Sequence, residues 1–464
     1  MSRTGVRIWT RGRIRPELTG LVLLTATALA LAAPPPLATA RPAPAAGTAT
    51  APTAAAPTVA APTVEEQRLD RAVPQEILRR SGFDGVAPEF VRSLRHADSY
   101  AEAERTVARQ GARLWQRAVD RAQGRGPAGG DLSRDDDRPL YWARLAMTRE
   151  LRQWEPGFQL SESARTALLG TLERSSRGQD SLTFPGGKAD GAKGRDRSED
   201  KGKDKDKDKG RQGVKRIVMT GFDPFTLDSD IRISNPSGAT ALALDGTVIR
   251  TADGPARIET AVFPVRWADF ADGTVERALR GPLSKADLFT TVSQGRVGRI
   301  DVERFNGAWR GGFGDNDNVS ETGLVPVSDP ASQPQWTVTS LPYAAITAAA
   351  TGRFPVYDNT SVTEVPAGAT APVVRPAGPT PGSAARAGGG GDYLSNEIAY
   401  RATLLRDRLG LDIPGGHVHT PVLQFGAGNT NPATGTVTDP EFVQNRLDII
   451  AQIRAIITVA AESS

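Results

Sequence analysis

The chain contains no cysteine in 464 residues and only three histidines. The absence of cysteine excludes disulfides, thiolate metal sites, iron–sulfur clusters and a thiol nucleophile. A nucleophile of the hydroxyl or thiol type must therefore be a serine or a threonine.

The chain also lacks a positive charge that is spread over its length. Its formal net charge is +4, and residues 1–40 alone carry that excess, with five arginines against one glutamate. The remainder is formally neutral, so it has no general basic field that would attract phosphate. We therefore expect no nucleic-acid partner.

The first forty residues have the order of a secretory signal peptide. The arginines precede an uncharged apolar run, Leu21–Ala33, and Ala38-Thr39-Ala40 has the Ala-x-Ala form of a cleavage site. The run is short for a bilayer-spanning helix, although a retained membrane anchor is the alternative. We expect cleavage after Ala40 and a secreted, extracellular protein that is no longer attached to a membrane.

Composition divides the rest of the chain into four segments. Residues 41–64 are rich in alanine, proline and threonine, which predicts a disordered spacer. Apolar residues at helical spacing predict a small helical domain over residues 65–185. Lys–Asp repeats without apolar residues predict a solvated, disordered linker over residues 186–213. Proteolysis there is expected to release residues 214–464 as a folded domain.

Residues 214–464 are predicted to form an α/β fold. Strand patterns at Lys215–Thr220, Asp287–Val292 and His417–Leu423 alternate with helix patterns, of which Asp439–Ala461 is the longest. This alternation predicts a mostly parallel twisted sheet with helices on both faces, preceded by the small all-α domain. The Pro-, Gly- and Ala-rich stretch Thr363–Gly391 is predicted to be an inserted loop.

His417 and His419 are separated by one residue on a predicted strand, so their side chains should share a face. This arrangement allows two metal ligands, but no third ligand lies nearby in the sequence. The other use of a histidine at a strand end is as the general base for a nucleophile.

Ser395 follows the Gly388–Gly391 run and begins a long predicted helix. Backbone N–H groups at such a helix start would stabilise an oxyanion. A serine there is also a common helix cap, and local physical chemistry alone favours the cap. Both interpretations stay open on this evidence.

Six short blocks follow one another along residues 214–461. They are Gly221-Phe222-Asp223-Pro224-Phe225, Asn235-Pro236-Ser237, Val292-Ser293-Gln294-Gly295 with Ile300–Arg304, Asp315-Asn316, Tyr393-Leu394-Ser395-Asn396 and His417–Pro421. In this order they resemble the signature blocks of the pyrrolidone-carboxylate peptidases, also called pyroglutamyl peptidase I. The resemblance does not extend to any residue before Lys215.

The resemblance implies an α/β fold and removal of N-terminal pyroglutamate without a metal or a cofactor. Carried over by position, the catalytic glutamate is Glu303, the catalytic histidine is His419, and Ser395 stands where the family has its nucleophilic cysteine. The substrate-binding positions implied in the same way are Phe222, Phe225, Gln294 and Arg310.

Serine in place of cysteine is the main departure from that family. A thiol is partly ionised near neutral pH, whereas a hydroxyl must lose its proton as it attacks. Ser395, His419 and Glu303 nevertheless form a serine–histidine–acid set of the kind that works on other folds. Outside the cell, serine also resists the oxidation to which a cysteine is prone.

The leading expectation is a secreted peptidase or amidohydrolase acting on pyroglutamyl peptides or related lactams and amides. A binding protein that keeps the pocket without the chemistry is one alternative. A metal-dependent hydrolase that uses both His417 and His419 is the other.

Overall fold

The computed structural model describes residues 61–184 and 213–463. The predicted signal peptide, most of the predicted spacer and nearly all of the predicted linker lie outside these residues. The described residues belong to one compact unit. None of their helices is long and apolar enough to cross a membrane.

The described residues form twelve α-helices and fourteen strands. The helices are α1 Val64–Gln67, α2 Ala72–Ser81, α3 Val86–Leu94, α4 Tyr100–Ala122, α5 Arg138–Gln153, α6 Glu162–Ser175, α7 Pro236–Leu244, α8 Trp267–Ala271, α9 Thr274–Leu283, α10 Tyr343–Ala348, α11 Leu394–Arg408 and α12 Pro440–Glu462. The strands are β1 Lys215–Phe222, β2 Thr247–Thr251, β3 Gly254–Phe263, β4 Leu288–Gln294, β5 Ile300–Glu303, β6 Phe305–Gly307, β7 Trp309–Gly311, β8 Thr322–Leu324, β9 Trp336–Val338, β10 Val356–Asn359, β11 Val362–Val365, β12 Val373–Arg375, β13 Ala384–Ala387 and β14 Gly415–Thr420.

Seven of these strands form the central sheet, in the order β10-β5-β14-β4-β1-β3-β2. The pairs β10·β5, β14·β4, β4·β1 and β1·β3 are parallel, whereas β5·β14 and β3·β2 are antiparallel. The predicted mostly parallel sheet is thus confirmed. The antiparallel pairing of β14 with β5 sets His417 opposite Glu303.

Helices cover both faces of the sheet. Ile217 and Val418 lie in the core that includes residues of α10 and α12, whereas Val218 and Phe289 lie in the core that includes residues of α8, α9 and α11. The neighbours Ile217 and Val218 point to opposite faces because side chains alternate along a strand. Burial on both faces explains why these strands are apolar without strict alternation.

The helices of the N-terminal segment, residues 64–177, pack directly against the α/β part. One apolar core contains Leu114 and Trp142 from this segment together with Leu242 of α7 and Val262 of β3. The predicted separate all-α domain is therefore not confirmed by the structure.

Buried polar contacts cross the same boundary. Arg446 Nε donates to Asp135 Oδ2 at 2.6 Å across 311 positions of sequence, and the Asn235 backbone N–H donates to Asp137 Oδ2 at 3.0 Å. The sequence pattern Asp135–Asp137 is typical of a charged, solvated helix start. Asp137 is indeed the N-cap residue of α5, but all three aspartates are buried against distant partners.

The stretch predicted as an inserted loop is a three-stranded antiparallel sheet, in the order β12-β11-β13. Glu364 in the middle strand accepts hydrogen bonds from Arg375 Nε at 2.8 Å and Thr380 Oγ1 at 2.7 Å. Strands of three or four residues separated by proline and glycine carry little periodic signal, so the sequence pattern missed them. Strand β13 ends directly before Gly388 and so leads into the segment that precedes Ser395.

Candidate active site

Glu303 and His419 lie on neighbouring strands and contact each other directly. His419 Nδ1 and Glu303 Oε1 are 2.7 Å apart, and both side chains are buried. A carboxylate at Nδ1 holds a histidine in the tautomer whose Nε2 accepts a proton. The structure thus brings two of the three predicted catalytic residues into direct contact, in an arrangement that would suit a base and the acid that orients it.

Asn359 holds the other carboxylate oxygen of Glu303. Asn359 Nδ2 donates to Glu303 Oε2 at 2.7 Å and to the Gly389 carbonyl oxygen at 2.9 Å. Strand β10 pairs with β5 so that Asn359 lies directly opposite Glu303. Sequence analysis missed Asn359, because its role depends on the order of strands in the sheet and no local motif marks it.

Ser395 lies in the first turn of α11, but it does not cap that helix. The N-cap residue is Tyr393, and no side chain caps the helix start. Ser395 Oγ instead donates to the Gly390 carbonyl oxygen at 3.3 Å. The interpretation of Ser395 as a helix cap is therefore wrong.

Gly390 is the common neighbour of Ser395 and His419. A Cβ atom built on Gly390 would lie 2.5 Å from His419 Cε1 and 3.5 Å from His419 Nε2, so the imidazole lies directly against this glycine. Among the described residues, the Ser395 hydroxyl bonds to Gly390 and not to His419. A serine hydroxyl has one proton to donate, so it must leave the Gly390 carbonyl oxygen before His419 can take that proton. Catalytic hydrogen bonds of this kind often form or tighten only when substrate is present.

Two more positions of the same turn must be glycine, because a side chain there would collide with neighbouring polar side chains. A Cβ on Gly389 would lie 2.2 Å from Glu303 Oε2, and one on Gly388 would lie 2.2 Å from Asn396 Oδ1. Asn396 in turn accepts from the Gly307 N–H at 2.9 Å and donates to the Gly307 carbonyl oxygen at 2.8 Å. The turn therefore fits only because it carries no side chains.

A small pocket opens beside Ser395. Its lining consists of Phe222, Phe225, Asn235, Val265, Ser293, Gln294, Tyr393, Leu394 and Ser395. The predicted substrate-binding residues Phe222, Phe225 and Gln294 all belong to this lining, and no lining side chain carries a formal charge. Gln294 Oε1 is buried and has no hydrogen-bond partner, so the pocket contains an acceptor that lacks a donor.

Arg310, the fourth predicted substrate-binding residue, is not part of the pocket lining. Its Nε and Nη2 donate to the two carboxylate oxygens of Glu397 at 2.7 and 2.6 Å, and Arg401 Nε donates to the same carboxylate at 2.8 Å. Glu397 belongs to the first turn of α11. In the structure, Arg310 therefore holds the start of the helix that carries Ser395.

His417 is fully buried between two hydroxyl groups. Thr291 Oγ1 lies 2.7 Å from Nδ1, and Ser293 Oγ lies 2.8 Å from Nε2. Burial lowers the pKa of His417 well below its ordinary value of 6.5, and the neighbouring His419 lowers it further. Both effects favour the neutral form of His417, whose ring packs edge-on against the His419 ring at 4.6 Å between ring centroids.

The two histidines give little support to a metal site. Both nitrogens of His417 contact hydroxyl groups, and Nδ1 of His419 contacts Glu303. Within residues 61–184 and 213–463, no three histidine, aspartate or glutamate side chains are grouped so that they could hold a metal ion.

Two family models match the chain. The PA0049 N-terminal domain matches residues 44–173, and the PA0049 C-terminal domain matches residues 216–331 and 353–424. The uncharacterized protein PA0049 of Pseudomonas aeruginosa is 34% identical, over 85% of this chain and 88% of that protein.

Solved structures of pyrrolidone carboxyl peptidases are also similar, at a low level. A mutant enzyme from Pyrococcus furiosus shares 22% identity over 53% of this chain and 99% of its own, with a TM-score of 0.37. The enzyme from Thermococcus litoralis shares 16% identity over 54% of this chain and 97% of its own, also with a TM-score of 0.37. Similarity at this TM-score supports no conclusion about activity.

Proposed function

The chain belongs to the PA0049 family, and we propose that it is a secreted serine peptidase or amidohydrolase that removes N-terminal pyroglutamate or a related neutral acyl group. The observation that carries the proposal is the Glu303–His419 pair, 2.7 Å apart. His419 lies against Gly390, which also accepts the hydrogen bond of Ser395, and Ser395 lines an uncharged pocket. The six sequence blocks that resemble pyroglutamyl peptidases support the choice of substrate.

In the proposed reaction, Ser395 Oγ attacks the carbonyl carbon of the substrate amide while His419 Nε2 takes the hydroxyl proton. Glu303 holds Nδ1 and stabilises the imidazolium that forms. The first N–H groups of α11 have no acceptor within the helix, so they are available to stabilise the negative oxygen. His419 then protonates the leaving amine, and water hydrolyses the ester on Ser395.

The uncharged lining favours a neutral acyl group over a free amino terminus. A charged α-ammonium group in this pocket would lose its hydration and find no carboxylate, which is unfavourable. A lactam N–H, in contrast, would supply the donor that Gln294 Oε1 lacks. Phe222 and Phe225 would pack against the ring.

The proposed compartment is extracellular. The signal-like features end at Ala40, and the match to the N-terminal family model begins four residues later, at residue 44. A serine nucleophile suits that compartment, because it does not oxidise as a thiolate does.

A non-catalytic binding protein with the same pocket is the second candidate. The observation that favours it is that the Ser395 hydroxyl donates to the Gly390 carbonyl oxygen and, within the described residues, makes no hydrogen bond to His419. Ligand binding to Gln294 and the two phenylalanines would not require the hydroxyl to rotate.

The deciding experiment is hydrolysis of chromogenic amides by the mature protein, with labelling by a serine-directed phosphonate. We expect the pyroglutamyl amide to be cleaved faster than the prolyl and alanyl amides. Ser395→Ala should lower kcat by several orders of magnitude, since the nucleophile and its base act as a unit. The phosphonate should label Ser395, and His419→Ala should abolish that labelling.

Ser284→Ala is the matched control, because Ser284 Oγ only donates to the Gly281 carbonyl oxygen at the end of α9. It should leave both activity and labelling unchanged. Ser395→Cys reports on the surroundings of the nucleophile: a site adapted to serine should lose activity, and one that still suits a thiolate should gain it. Absence of hydrolysis and labelling, together with measurable binding of free pyroglutamate, would establish the binding protein instead.

A further inference from the structure

Several chain segments that line or border the pocket are held by buried side chains of the N-terminal segment, residues 64–177. These pocket segments lie at residues 222–225, 234–235 and 315–316, and the last of them is bonded to pocket residue Val265. They all belong to the α/β part of the molecule. Their buried partners are on or next to α1, α5 and α6.

The first contact is an ion-paired carboxylate between two pocket phenylalanines. Asp223 lies between Phe222 and Phe225, and its Oδ2 accepts from Arg144 Nη2 at 2.7 Å and from Arg177 Nη2 at 2.8 Å. All three charged side chains are almost completely buried. Loss of Arg144 would leave this buried carboxylate with Arg177 as its one remaining arginine partner, so the surrounding backbone is expected to move.

The second contact fixes Asn235, which lines the pocket. The Asn235 N–H donates to Asp137 Oδ2 at 3.0 Å, and Asn235 Nδ2 donates to the Asp223 carbonyl oxygen at 2.9 Å. Asp137 belongs to the N-terminal segment. The first and second contacts are therefore linked through Asp223.

The third contact reaches Asn316. Asn316 Nδ2 donates to the Pro224 carbonyl oxygen at 2.9 Å and to Glu65 Oε1 at 3.1 Å, while the Tyr141 hydroxyl donates to the same Glu65 oxygen at 2.8 Å. The Asn316 N–H also donates to the carbonyl oxygen of Val265 at 3.0 Å. Glu65 and Tyr141 thereby connect α1 and α5 to the pocket.

We infer that Arg144, Arg177 and Asp137 are positioning residues for the acyl-binding pocket, so that residues 64–177 and the α/β part form one functional site. This inference rests on the proposed function only for the part of its test that measures KM and kcat. Stabilisation of the fold alone is the competing explanation. Arg121 serves to distinguish a positioning role from stabilisation of the fold alone. It is also deeply buried in the N-terminal segment, but its hydrogen bonds go only to the carbonyl oxygens of residues 128, 132 and 134.

The test compares Arg144→Met with Arg121→Met in the full mature chain. We expect Arg144→Met to raise KM for the pyroglutamyl amide about tenfold, with kcat changed less than about threefold, because it disturbs binding and spares Ser395 and His419. Backbone hydrogen exchange over residues 221–237 should become faster. Arg121→Met should lower Tm but leave both KM and this exchange unchanged.

Arg144→Lys covers the case in which Arg144→Met does not fold. It retains the charge but replaces the Nη2 donor with a more strongly hydrated ammonium group of different reach, so it should give an intermediate KM and intermediate exchange. If both Arg144 variants fold with wild-type KM and exchange, or if Arg121→Met changes them equally, the inference is wrong. Hydrogen exchange does not depend on turnover. If the wild-type protein hydrolyses no substrate, the proposed function is wrong. The exchange rates of the Arg144 and Arg121 variants would still show whether Arg144 positions the pocket.

Discussion

His417 and Asp137 are buried titratable residues, and their contributions to the unfolding free energy change in opposite directions with pH. Burial lowers the pKa of His417 well below 6.5, and burial with the nearby Asp136 raises the pKa of Asp137 to about 7. In both cases the neutral form is favoured, because a charge inside the protein loses its hydration. Each residue therefore exchanges protons with solvent at different pH values in the folded and unfolded states.

The two contributions have opposite signs. Unfolded His417 takes up a proton as pH falls through its ordinary pKa while the folded residue does not, so its contribution to stability is lost toward acid. Folded Asp137 keeps its proton until about pH 7. Its contribution is therefore complete below its ordinary pKa and is lost as pH rises through about 7. In weakly acidic solution the two largely cancel.

Removing His417 should expose the contribution of Asp137. We compare the unfolding free energy at about pH 5.5 with that at about pH 7.5. On going to the lower pH, this free energy should become more favourable in His417→Phe than in wild type by about 1.4 kcal/mol. Urea unfolding at both pH values measures this difference. His96→Gln is the control, since His96 is exposed on the surface. Equal pH dependence in wild type and His417→Phe would contradict a neutral His417.

At the scale of the element, the Gly388–Gly391 turn positions the site through its backbone. The Gly390 carbonyl oxygen accepts the Ser395 hydroxyl, the Gly389 carbonyl oxygen accepts from Asn359, and the Gly390 backbone lies against His419. A side chain on any of the first three glycines would displace a residue of the site. The turn is thus both a support and a close boundary for the imidazole.

Gly390→Ala should therefore impair catalysis more than folding. The added Cβ would lie 2.5 Å from His419 Cε1, so the ring must shift from its position beside Gly390. We expect kcat to fall about 100-fold through this misplacement, while the unfolding free energy falls by about 1–3 kcal/mol. Steady-state kinetics and urea unfolding measure the two effects.

Gly428→Ala provides the control, because a Cβ there would meet no atom within 4 Å. It should leave kcat unchanged. If Gly390→Ala retains wild-type kcat, the position of the His419 ring is not set by the turn, and the close approach has no catalytic consequence.

At the scale of the whole molecule, the N-terminal segment and the α/β part share a core and several buried ion pairs. Arg144 and Arg177 reach Asp223, and Arg446 of α12 reaches Asp135. The Lys–Asp repeats between the two parts lie outside the described residues, so their predicted disorder stays a prediction. What the structure adds is that the two parts should remain together without a covalent connection.

Limited trypsin digestion should cut at the lysines of residues 201–209 and leave two fragments that elute together in gel filtration. Activity should persist in the nicked complex and disappear when denaturant separates the fragments, because Asp223 then loses both arginines. Elution of residues 214–464 as a separate, active fragment, as the composition alone predicts, would contradict the shared core. Digestion of an Arg144→Met variant should yield a complex that dissociates at lower denaturant concentration.

The sequence by itself indicated the α/β class, several of its helices and strands, and three candidate residues of the site. Short apolar runs marked β1, β4 and β14, and helical periodicity marked α12. Short blocks that resemble those of the pyroglutamyl peptidases marked Ser395, His419 and Glu303. Both kinds of signal are carried by neighbouring residues. The absence of cysteine restricted the nucleophile to a hydroxyl. The pocket residues Phe222, Phe225 and Gln294 followed from the same blocks.

Only the tertiary structure decided which distant residues meet. Asn359 holds Glu303 because β10 pairs with β5, Arg310 pairs with Glu397 instead of lining the pocket, and Asp223 receives two arginines from the N-terminal segment. The short strands of residues 362–387 and the burial of Asp135–Asp137 were also visible only in the tertiary structure. These features depend on strand order and on packing between segments up to 311 positions apart. A local sequence pattern does not say which distant residue will become a contact partner. The burial and pairing energies that select this partner depend on segments that come together only in the folded chain.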